Sequence, residues 1–575
     1  MARQAGQPLA IRRSPLAIGY WLLALLLAAG GLRADALLDG RRRPFAESRA
    51  PVPAGGAVLH SYLQELSRVP PGADLRRLQA QGRARGFRWF DSNVLVRILP
   101  VPDRKDEVLR ALAQIPGVQV TNAYPTAIEA LVPHDRVGAL AYVPGIRQVT
   151  HPRWFRPMVV SEGLSVVGAV QWQQLPRVLG TVRPTRVGIV DIGFKGYQNL
   201  AGTELPSMSR IHTRNFRQDR DFESTEHGTG VAEIVIDFTP DVELYLAAVS
   251  TGGELAQAID WLRQQGVQVI NGSIGTDVRA GNGCCSPEYD ELDRAWQSGV
   301  VSFFAAGNEA LSHWYAPAFA DPDRDGWLNF QPSGIPVPGP LPDGTERNCF
   351  RAERGRDLTL ALLWYDWPVT ARDYGLYIFD AVFLQRIAVA DEPQTGSQEP
   401  VEYIELTGLI PHDGTYCAAI RRNQGAGDVP VELFIDSDLC GGRTPCFTYV
   451  VPDFSIIGPA DGVHVIAVGG TVWNTDVVAP YSSWGPTLDG RLKPDITAPT
   501  HVSTRTYGDQ GFLFAGTSAA TPHATGAVAL IHRKVFSAFS GTTIYEVLKA
   551  RSRDLGPPGP DPMYGLGRLF MLPPH

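Results

Sequence analysis

The alternation of short apolar runs with helical segments most constrains the fold of this chain. The runs RVGIVD (186–191), ELYLAAV (243–249) and VQVINGSIG (267–275) are rich in β-branched residues and short, which is typical of strands buried on both faces. A helical segment, GELAQAIDWLRQQG, lies between the second and third runs, and DELDRAWQSG precedes a further run, VVSFFAAGNEA. Strands that alternate with helices predict a parallel α/β sheet.

This pattern stops after Asn308 and returns near residue 464. Between 312 and 455 the chain is first rich in proline and then alternates as strands do, in LTLALLWYDW, YGLYIFDA, VEYIELTGLI, YCAAIRR and VELFID. The α/β pattern resumes at HVIAVGGTV. We therefore expect an inserted all-β domain over 312–455, between two parts of one α/β domain at 156–311 and 456–575.

Residues 1–36 have the pattern of an export signal. Basic residues precede the apolar run PLAIGYWLLALLLAAGG, and small residues follow at Ala34 and Ala36. The alternative is a membrane anchor, but the run is shorter than the roughly 20 residues that a spanning helix needs. No second run of that length occurs, so we expect a secreted or periplasmic protein with no membrane segment after signal cleavage.

The segment between the signal and the α/β domain, residues 37–155, divides in two. Residues 37–90 are rich in Arg, Pro and Gly and are expected to form a loose leader. From Asn93 to about residue 152, predicted strands and helices follow the order β-α-β-β-α-β. This order favours a small α+β unit of the split βαβ kind.

Charge and cysteine content narrow the function further. The formal net charge is −7, and no basic run is interleaved with aromatic residues, which argues against nucleic-acid binding. Six cysteines in an exported chain are compatible with three disulfides. Cys440 and Cys446 form the easiest local pair, Cys349 and Cys417 share one β-rich stretch, and Cys284 adjoins Cys285. Their pairing stays open, and no CxxC spacing supports a metal site instead.

Asp191, His227 and Ser518 occupy positions where catalytic side chains gather in α/β proteins, at strand ends and helix starts. A serine hydroxyl becomes an effective nucleophile when an imidazole takes its proton, and the imidazole needs an anion that fixes its tautomer. A helix start beside Ser518 also offers free N–H groups to an oxyanion. Each residue alone is better explained by a structural role, as a helix cap or a polar residue at a helix start, but together they predict a nucleophilic triad.

The surroundings of these residues resemble a known family. DIGF (191–194), HGTG (227–230) and GTSAATPHATG (516–526), in the order Asp, His, Ser, are similar to the three active-site boxes of the subtilisin-like serine proteases, the subtilases. The resemblance covers about 185–310 and 456–570. It implies a subtilisin-like parallel sheet flanked by helices and an endopeptidase that works through an acyl-enzyme, with no cofactor required for the chemistry.

The resemblance also assigns roles outside the triad. INGSIG is similar to the family's substrate-binding strand, which implies that Ser273 and Gly275 contact the substrate, and AAGNEA to its oxyanion box, with Asn308 as the side-chain donor. Two positions depart from the family pattern. Ile192 stands where Ser or Thr is usual, and Gly230 replaces the second histidine of HGTH, with loss of its polar contacts.

Further departures and matches lie in the serine box and the N-terminal unit. Thr521 replaces a common alanine, and His523 fits the family pattern as a packing residue.

The unit at 93–152 resembles the inhibitory pro-domain of the family, which implies that the chain's own N-terminal domain is an intramolecular inhibitor. The alternative is a permanent N-terminal domain. We expect a monomer whose partners are this domain and a protein or peptide substrate.

An acidic turn marks the start of the predicted insert. In DPDRDGWLNF, Asp321, Asp323 and Asp325 alternate and Gly326 follows, as in the first half of a calcium loop. Position twelve of that loop is Pro332 instead of Glu, so a structural calcium ion would need a ligand from elsewhere. The alternative is a solvated acidic turn. The insert itself resembles the jelly-roll domains of secreted bacterial peptidases.

Other functions need different patterns. An α/β-hydrolase needs a GxSxG elbow with its histidine last, whereas Ser518 lacks the second glycine and follows His227. A zinc protease needs HExxH, which does not occur. The competing class is a catalytically silent exported binding protein that uses the β-insert. Such a protein would show damaged catalytic boxes, whereas all four key residues are present here.

Overall fold

A computed structural model defines most of the chain after residue 57. The residues that it describes, to which all structural statements below refer, are 58–69, 75–83, 85, 87–152, 156–157, 163–175, 184–279, 283–331, 341–425, 428–442, 444–508, 514–534 and 540–571. The predicted signal at 1–36 lies outside these residues. Among the described residues, no helix has the length and apolar character needed to cross a membrane.

The N-terminal part folds around a six-stranded sheet. Its elements are β1 (Val58–Leu59), α1 (Ser61–Leu66), α2 (Leu75–Arg83), β2 (Trp89–Phe90), β3 (Asn93–Pro100), α3 (Lys105–Leu112), β4 (Gln119–Ala123), β5 (Ile128–Pro133), a 3₁₀ helix (His134–Tyr142) and β6 (Ile146–Thr150). The strand order is β1-β6-β3-β5-β4, and β2 pairs with β3. From β3 onward the elements follow the predicted β-α-β-β-α-β order, with a 3₁₀ helix in the second helical position.

The predicted loose leader over residues 37–90 is wrong where the structure describes it. Strand β1 pairs in parallel with β6, and α1 buries Tyr62, Leu63 and Leu66 in the core of this unit. The spacing of these apolar residues places them on one face of a short helix. The many Arg, Pro and Gly residues around them mask that face when composition is averaged over the whole segment.

The next segment carries the predicted alternation of strands and helices. Its elements are β7 (Arg156–Pro157), α4 (Ala169–Gln173), β8 (Thr185–Asp191), α5 (Tyr197–Leu200), a 3₁₀ helix (Met208–Arg210), β9 (Ile211–Asn215), α6 (His227–Phe238), β10 (Val242–Ala248), α7 (Gly252–Gln264), β11 (Val269–Gly272), β12 (Ile274–Gly275), α8 (Pro287–Gln297) and β13 (Val301–Ala305). Helix α7 begins with a capping box in which Thr251 and Glu254 satisfy each other's backbone N–H groups.

A sandwich of two antiparallel four-stranded sheets follows. Its strands are β14 (His313–Ala316), β15 (Asn348–Ala352), β16 (Leu358–Trp364), β17 (Asp373–Asp380), β18 (Arg386–Ala390), β19 (Val401–Leu406), β20 (Gly414–Gln424) and β21 (Val431–Ile435), followed by a 3₁₀ helix (Ser437–Cys440). The sheet orders are β14-β21-β16-β19 and β15-β20-β17-β18. One apolar cluster joins side chains of both sheets, including Leu360 and Tyr374. The expected inserted β-domain is therefore observed as a sheet-on-sheet packing.

The chain then returns to the α/β sheet. Its last elements are β22 (Ile466–Val472), β23 (Ile496–Thr500), α9 (Thr517–Lys534), α10 (Gly541–Arg551), β24 (Ser552–Arg553) and β25 (Arg568–Leu569). The complete sheet has nine strands in the order β24-β25-β23-β22-β13-β11-β8-β10-β9. All pairs are parallel except β24 with β25. The sheet confirms the predicted parallel α/β architecture.

The structure joins all six cysteines in disulfides. Cys349 and Cys417 face each other on β15 and β20 and form one bridge. Cys440 pairs with Cys446, and Cys284 pairs with its neighbour Cys285. The Cys349–Cys417 bridge joins β15 to its neighbour β20 in the sheet. Its two cysteines are 68 residues apart in the sequence.

Candidate active site

Asp191 ends a central strand of the nine-stranded sheet. Strand β8 lies between β10 and β11, and its residues are almost all buried. The carboxylate of Asp191 is fully buried, and its Oδ1 atom accepts a hydrogen bond from the backbone N–H of Ile192 at 2.8 Å. The Ile192 side chain, at the position where the family usually has Ser or Thr, packs against an apolar cluster beneath the sheet.

His227 is the first residue of α6 and contacts Asp191 directly. Its Nδ1 atom lies 2.9 Å from both carboxylate oxygens, and both side chains are buried. A carboxylate only accepts hydrogen bonds, so Nδ1 carries the proton that is donated to Asp191. The other ring nitrogen, Nε2, is therefore the atom that can take a proton from a nucleophile.

Glycine at position 228 permits this contact. The Gly228 N–H donates to the carbonyl of Gly193 at 3.0 Å, which fastens the start of α6 to the turn after β8. A Cβ atom at position 228 would lie 2.5 Å from the Phe194 ring and 2.7 Å from the Gly193 oxygen. Since backbone cannot yield at that distance, a larger residue would push His227 away from Asp191.

Ser518 is the second residue of α9, a helix whose first three turns are buried. The Ser518 hydroxyl donates to the backbone carbonyl of Ser273 at 3.0 Å. In return, the Ser273 hydroxyl donates to the carbonyl of Ser518 at 2.5 Å. This second bond replaces a missing helical one: residue 522 is a proline, which has no N–H to offer the carbonyl four residues earlier.

Asn308 is held against the start of the same helix. Its Oδ1 atom accepts from the backbone N–H of Thr517 at 2.9 Å and from the Thr517 hydroxyl at 3.1 Å. Both bonds go to the oxygen because a backbone N–H can only donate, so the amide orientation of Asn308 is settled. The Asn308 NH₂ group is thereby directed away from Thr517 and is the end of the side chain that can donate to a substrate oxygen.

Two aromatic residues that sequence analysis missed occupy the place of the family's second histidine. A Cβ atom at Gly230 would lie 2.8 Å from the ring of Tyr507 and 2.9 Å from that of Phe514. The Phe514 ring also lies 6.5 Å from the imidazole of His227, measured between centroids. Polar contacts are thus replaced by aromatic packing, and the turn that leads to Ser518 lies beside the Asp191–His227 pair.

Glu233, on the next turn of α6, anchors that aromatic pair. Its carboxylate accepts from the backbone N–H of Arg505 at 2.6 Å and of Thr506 at 3.1 Å, and from the Thr506 hydroxyl. Burial raises the pKa of Glu233. Burial also raises the pKa of Tyr507, helped by Asp191, Glu226 and Glu233. No sequence motif indicates the contact between Glu233 and Arg505, because the two residues lie 272 positions apart.

The remaining predicted residues have different surroundings. Gly275 lies in β12, where a Cβ atom would be 2.3 Å from the Ile457 side chain. His523 donates through Nδ1 to the Ala519 carbonyl at 2.6 Å, and burial lowers its pKa to about 4, which fits the packing role expected for it. Asp321, Asp323 and Asp325 lie between β14 and β15, outside this site.

The family model of the "Subtilase family" matches residues 184–328 and 452–567 of this chain. These two segments contain Asp191, His227, Asn308 and Ser518, and the unmatched stretch between them holds most of the β-sandwich. The chain belongs to the subtilase family. It is a subtilisin-like serine peptidase, and the positions at which sequence analysis found the family boxes are those that its fold brings to one edge of the sheet.

Solved structures of other proteases also align with this subtilase. The CspB protease of Clostridium perfringens has 15% sequence identity and a TM-score of 0.48, with coverage of 71% of this chain and 97% of that one. The epidermin leader peptide processing serine protease EpiP of Staphylococcus aureus has 14% identity and a TM-score of 0.44, with coverage of 83% and 98%.

The exchange of hydrogen bonds between Ser273 and Ser518 predicts a double-mutant result. In the Ser518→Ala background, which keeps the carbonyl, Ser273→Ala should lower the free energy of unfolding by about 1–3 kcal/mol, because a buried carbonyl loses its donor. Adding Pro522→Ala restores an N–H to that carbonyl and should recover most of the loss. Thermal unfolding of the four variants measures both effects. Equal losses for Ser273→Ala with and without Pro522→Ala would contradict this account.

Proposed function

We propose that this subtilase is an exported endopeptidase that hydrolyses peptide bonds through an acyl-enzyme, with Ser518, His227 and Asp191 as its catalytic triad. The observation that carries the proposal is the buried Asp191–His227 pair beside the turn that ends in Ser518. A buried imidazole whose tautomer is fixed by a carboxylate is the base that a serine nucleophile needs.

In the proposed reaction the Ser518 oxygen attacks the carbonyl carbon of the scissile bond, and His227 Nε2 takes the hydroxyl proton. The tetrahedral intermediate then expels the amine, which receives that proton from His227, and leaves an ester on Ser518. Water, activated by the same imidazole, hydrolyses the ester. For this step the Ser518 hydroxyl must exchange its bond with the Ser273 carbonyl for one with Nε2.

Two donors are suited to stabilise the oxyanion. As the second residue of α9, Ser518 has a backbone N–H with no partner inside the helix. The side-chain NH₂ of Asn308 is presented by the two bonds that Thr517 makes to its oxygen. Because both donors are attached to the same helix start, they are pre-oriented toward the atom on which negative charge develops.

Substitutions in this machinery test the proposal. Ser518→Ala should abolish casein hydrolysis, whereas Asn308→Ala should lower kcat by about 10²–10³-fold, the usual cost of losing one oxyanion donor. Initial rates on casein and on a peptide substrate measure both. Ser165→Ala, at a described position outside the site, is the matched serine control and should retain full activity. A loss below tenfold in Asn308→Ala would contradict the oxyanion role, and an active Ser518→Ala would contradict the nucleophile.

Support for a self-inhibited precursor comes from the strand that precedes the α/β domain. The backbone of β7 pairs antiparallel with β12, with Pro157 opposite Ile274 and Arg156 opposite Gly275. Strand β12 is the one that the family resemblance assigns to substrate binding. Asp191, His227 and Ser518 are at most 1% exposed. A nucleophile that must meet a substrate is thus covered by its own chain, as expected for a precursor whose N-terminal part occupies the substrate strand.

The pairing register points to a particular bond as the first substrate. Pro157, at the end of β7, lies opposite Ile274, the residue that follows Ser273, and the Ser273 carbonyl accepts the Ser518 hydroxyl. Gly163 follows β7 in the sequence, and a Cβ atom at this position would lie 3.2 Å from His523 on α9. We infer that the Met158–Val159 bond is the one that Ser518 cleaves in its own chain.

N-terminal sequencing of the mature protein tests this inference. The wild-type protein should begin with Val159, in the sequence VVSEGLS, and Ser518→Ala should keep the complete N-terminal domain. Intact mass measures the same step independently. A mature N-terminus more than two residues from Val159 would contradict the register argument. Equal masses for wild type and Ser518→Ala would instead favour a permanent N-terminal domain.

The N-terminal domain is held by buried polar contacts on two sides. Glu129, on β5, accepts from the hydroxyl of Thr251 at 3.0 Å, at the start of α7, and Gly253 leaves room for this carboxylate. Arg97, on β3, donates to both carboxylate oxygens of Glu399 in the β-sandwich at 2.9 and 3.0 Å. We infer that both the α/β domain and the β-sandwich retain the cleaved N-terminal domain.

Removal of the Arg97 side chain should release that domain. Both partners of the Arg97–Glu399 pair are less than 10% exposed. Loss of one partner from a buried pair costs about 3–5 kcal/mol, so Arg97→Ala should weaken retention by roughly 100-fold or more. Size-exclusion chromatography after self-cleavage measures whether the fragment co-elutes with the enzyme. Arg110→Ala, an exposed arginine on α3, is the control, and fragment release identical to wild type in Arg97→Ala would overturn this role.

Export through the signal at 1–36 is the remaining element of the proposal. It is supported by the sequence pattern and by three disulfides, which form and persist in oxidising compartments. A secreted or periplasmic location gives the enzyme access to protein substrates outside the cytoplasm.

A further inference from the structure

A cluster of carboxylates lies where the chain enters the β-sandwich, between β14 and β15. Asp321, Asp323 and Asp325 each present an oxygen atom, and these atoms lie within 4.8 Å of one another. Like charges at this separation repel strongly, and more so where water is partly excluded. The arrangement needs either protons or a cation to be stable. Acidic clusters are common without a bound ion, so a metal site requires further support from the surrounding residues.

Several oxygen atoms in this cluster are buried and have no hydrogen-bond donor among the described residues. They are Oδ1 of Asp321 and both carboxylate oxygens of Asp323. Two further buried oxygens of the same kind belong to Asn329 and Glu346, through Oδ1 and Oε1. Asn329 is 6% exposed and Glu346 is fully buried. Buried oxygens without donors are costly, and a set of five in one region indicates a missing electropositive partner.

Residues from a second segment bring Glu346 to the cluster. The Phe330 N–H donates to the Thr345 carbonyl at 2.9 Å, and the Asn329 amide donates to the Thr345 hydroxyl at 3.1 Å. One Glu346 oxygen accepts from the Asp343 N–H at 2.7 Å, which leaves the other without a partner. The segment 343–346 is thereby fastened against the acidic loop.

Glu346 also interacts electrostatically with the acidic loop. The charges of Asp325, Asp343 and Asp323 act on the Glu346 carboxylate. The charges of Asp325 and Asp321 act on Asp323 in the same way. These side chains therefore form one electrostatic group, although they come from segments more than 20 residues apart in the sequence.

The spacing of the oxygen atoms matches a calcium loop whose last ligand is replaced. Counted from Asp321, the acidic residues stand at positions one, three and five, Gly326 stands at six with φ of 97°, and Asn329 stands at nine. Position twelve is Pro332, which lies outside the described residues. We propose that Asp321, Asp323, Asp325, Asn329 and Glu346 bind one Ca²⁺ ion, with Glu346 in place of the usual glutamate at position twelve.

The chemistry of these donors favours calcium. Every proposed ligand atom is an oxygen, and four of the five side chains are carboxylates, which suits a hard divalent cation. Carboxylates that can bind through one or both oxygens reach the six to eight contacts that Ca²⁺ takes at 2.3–2.6 Å. Mg²⁺ requires a smaller octahedral shell and retains its waters, which a group of buried side-chain oxygens accommodates poorly.

An ion at this position would hold the entry of the β-sandwich in place. The Arg422 N–H donates to the Gly326 carbonyl at 2.8 Å, and the Leu328 N–H donates to the Ile420 carbonyl at 2.9 Å. The loop is thus joined to β20, the central strand that also carries Cys417. Calcium binding stabilises the loop and, through it, the sandwich that contacts the N-terminal domain.

Metal titration of the complete chain in its Ser518→Ala form tests the site without self-cleavage, so its outcome is independent of the proposed protease activity. After treatment with a chelator, Ca²⁺ should bind with measurable heat and raise the thermal unfolding midpoint. Tb³⁺ should bind in its place and show luminescence on tryptophan excitation, because Trp327 adjoins the acidic loop and its backbone N–H donates to Asp325 at 3.0 Å. Mg²⁺ at the same concentration should have a much smaller effect.

Substitutions locate the site. Glu346→Gln and Asp323→Asn preserve side-chain shape and should each weaken Ca²⁺ binding at least tenfold and reduce Tb³⁺ luminescence. Glu353→Gln, an exposed glutamate in the same sandwich, is the control and should bind as the parent does. The proposal is overturned if the parent shows no calcium-dependent midpoint shift, if Mg²⁺ binds equally well, or if Glu346→Gln and Asp323→Asn retain the parent's affinity.

Discussion

The buried first turn of α9 is the constraint on which the rest of the active site depends. Thr517 orients Asn308 through two hydrogen bonds, and Ser518 exchanges hydrogen bonds with Ser273 on the substrate side. Pro522 makes this exchange necessary, because it removes the helical partner of the Ser518 carbonyl. The proposed nucleophile, oxyanion donor and substrate strand are therefore parts of one rigid unit, which is the form of pre-organisation that favours a transition state over a ground state.

The Asp191–His227 pair is attached to this unit through apolar contacts. In place of a second histidine, Gly230 admits the rings of Tyr507 and Phe514, and Glu233 fixes the backbone that carries them. The change from polar to aromatic packing keeps water from the imidazole on that side. A buried hydrogen bond to a carboxylate gains strength when water is excluded, provided that its partners stay aligned, and the Gly193–Gly228 contact maintains that alignment.

The two additions to the α/β domain are connected to each other. The N-terminal domain contacts α7 through Glu129 and the β-sandwich through Arg97. Because the sandwich interrupts the chain shortly after Asn308, its position is linked to the proposed oxyanion donor as well as to the N-terminal domain. The Ca²⁺ ion proposed for the loop at 321–329 would stabilise the sandwich side of this arrangement, and would thereby link the proposed retention of the N-terminal domain to the metal content of the surroundings.

The sequence by itself determined the local elements and the family boxes that contain the proposed reactive groups. Local patterns depend only on neighbouring residues and can be recognised in the sequence. They include the short β-branched runs, the helix starts and the three boxes around Asp191, His227 and Ser518. Composition was misleading at residues 58–90, where a short buried helix lies among polar residues. The tertiary structure alone decided the contacts between distant segments: Glu233 with Arg505, Ser273 with Ser518, β7 with β12, and Glu346 with the acidic loop. No local pattern encodes such pairs, because they exist only once the folded core brings together residues that are tens to hundreds of positions apart.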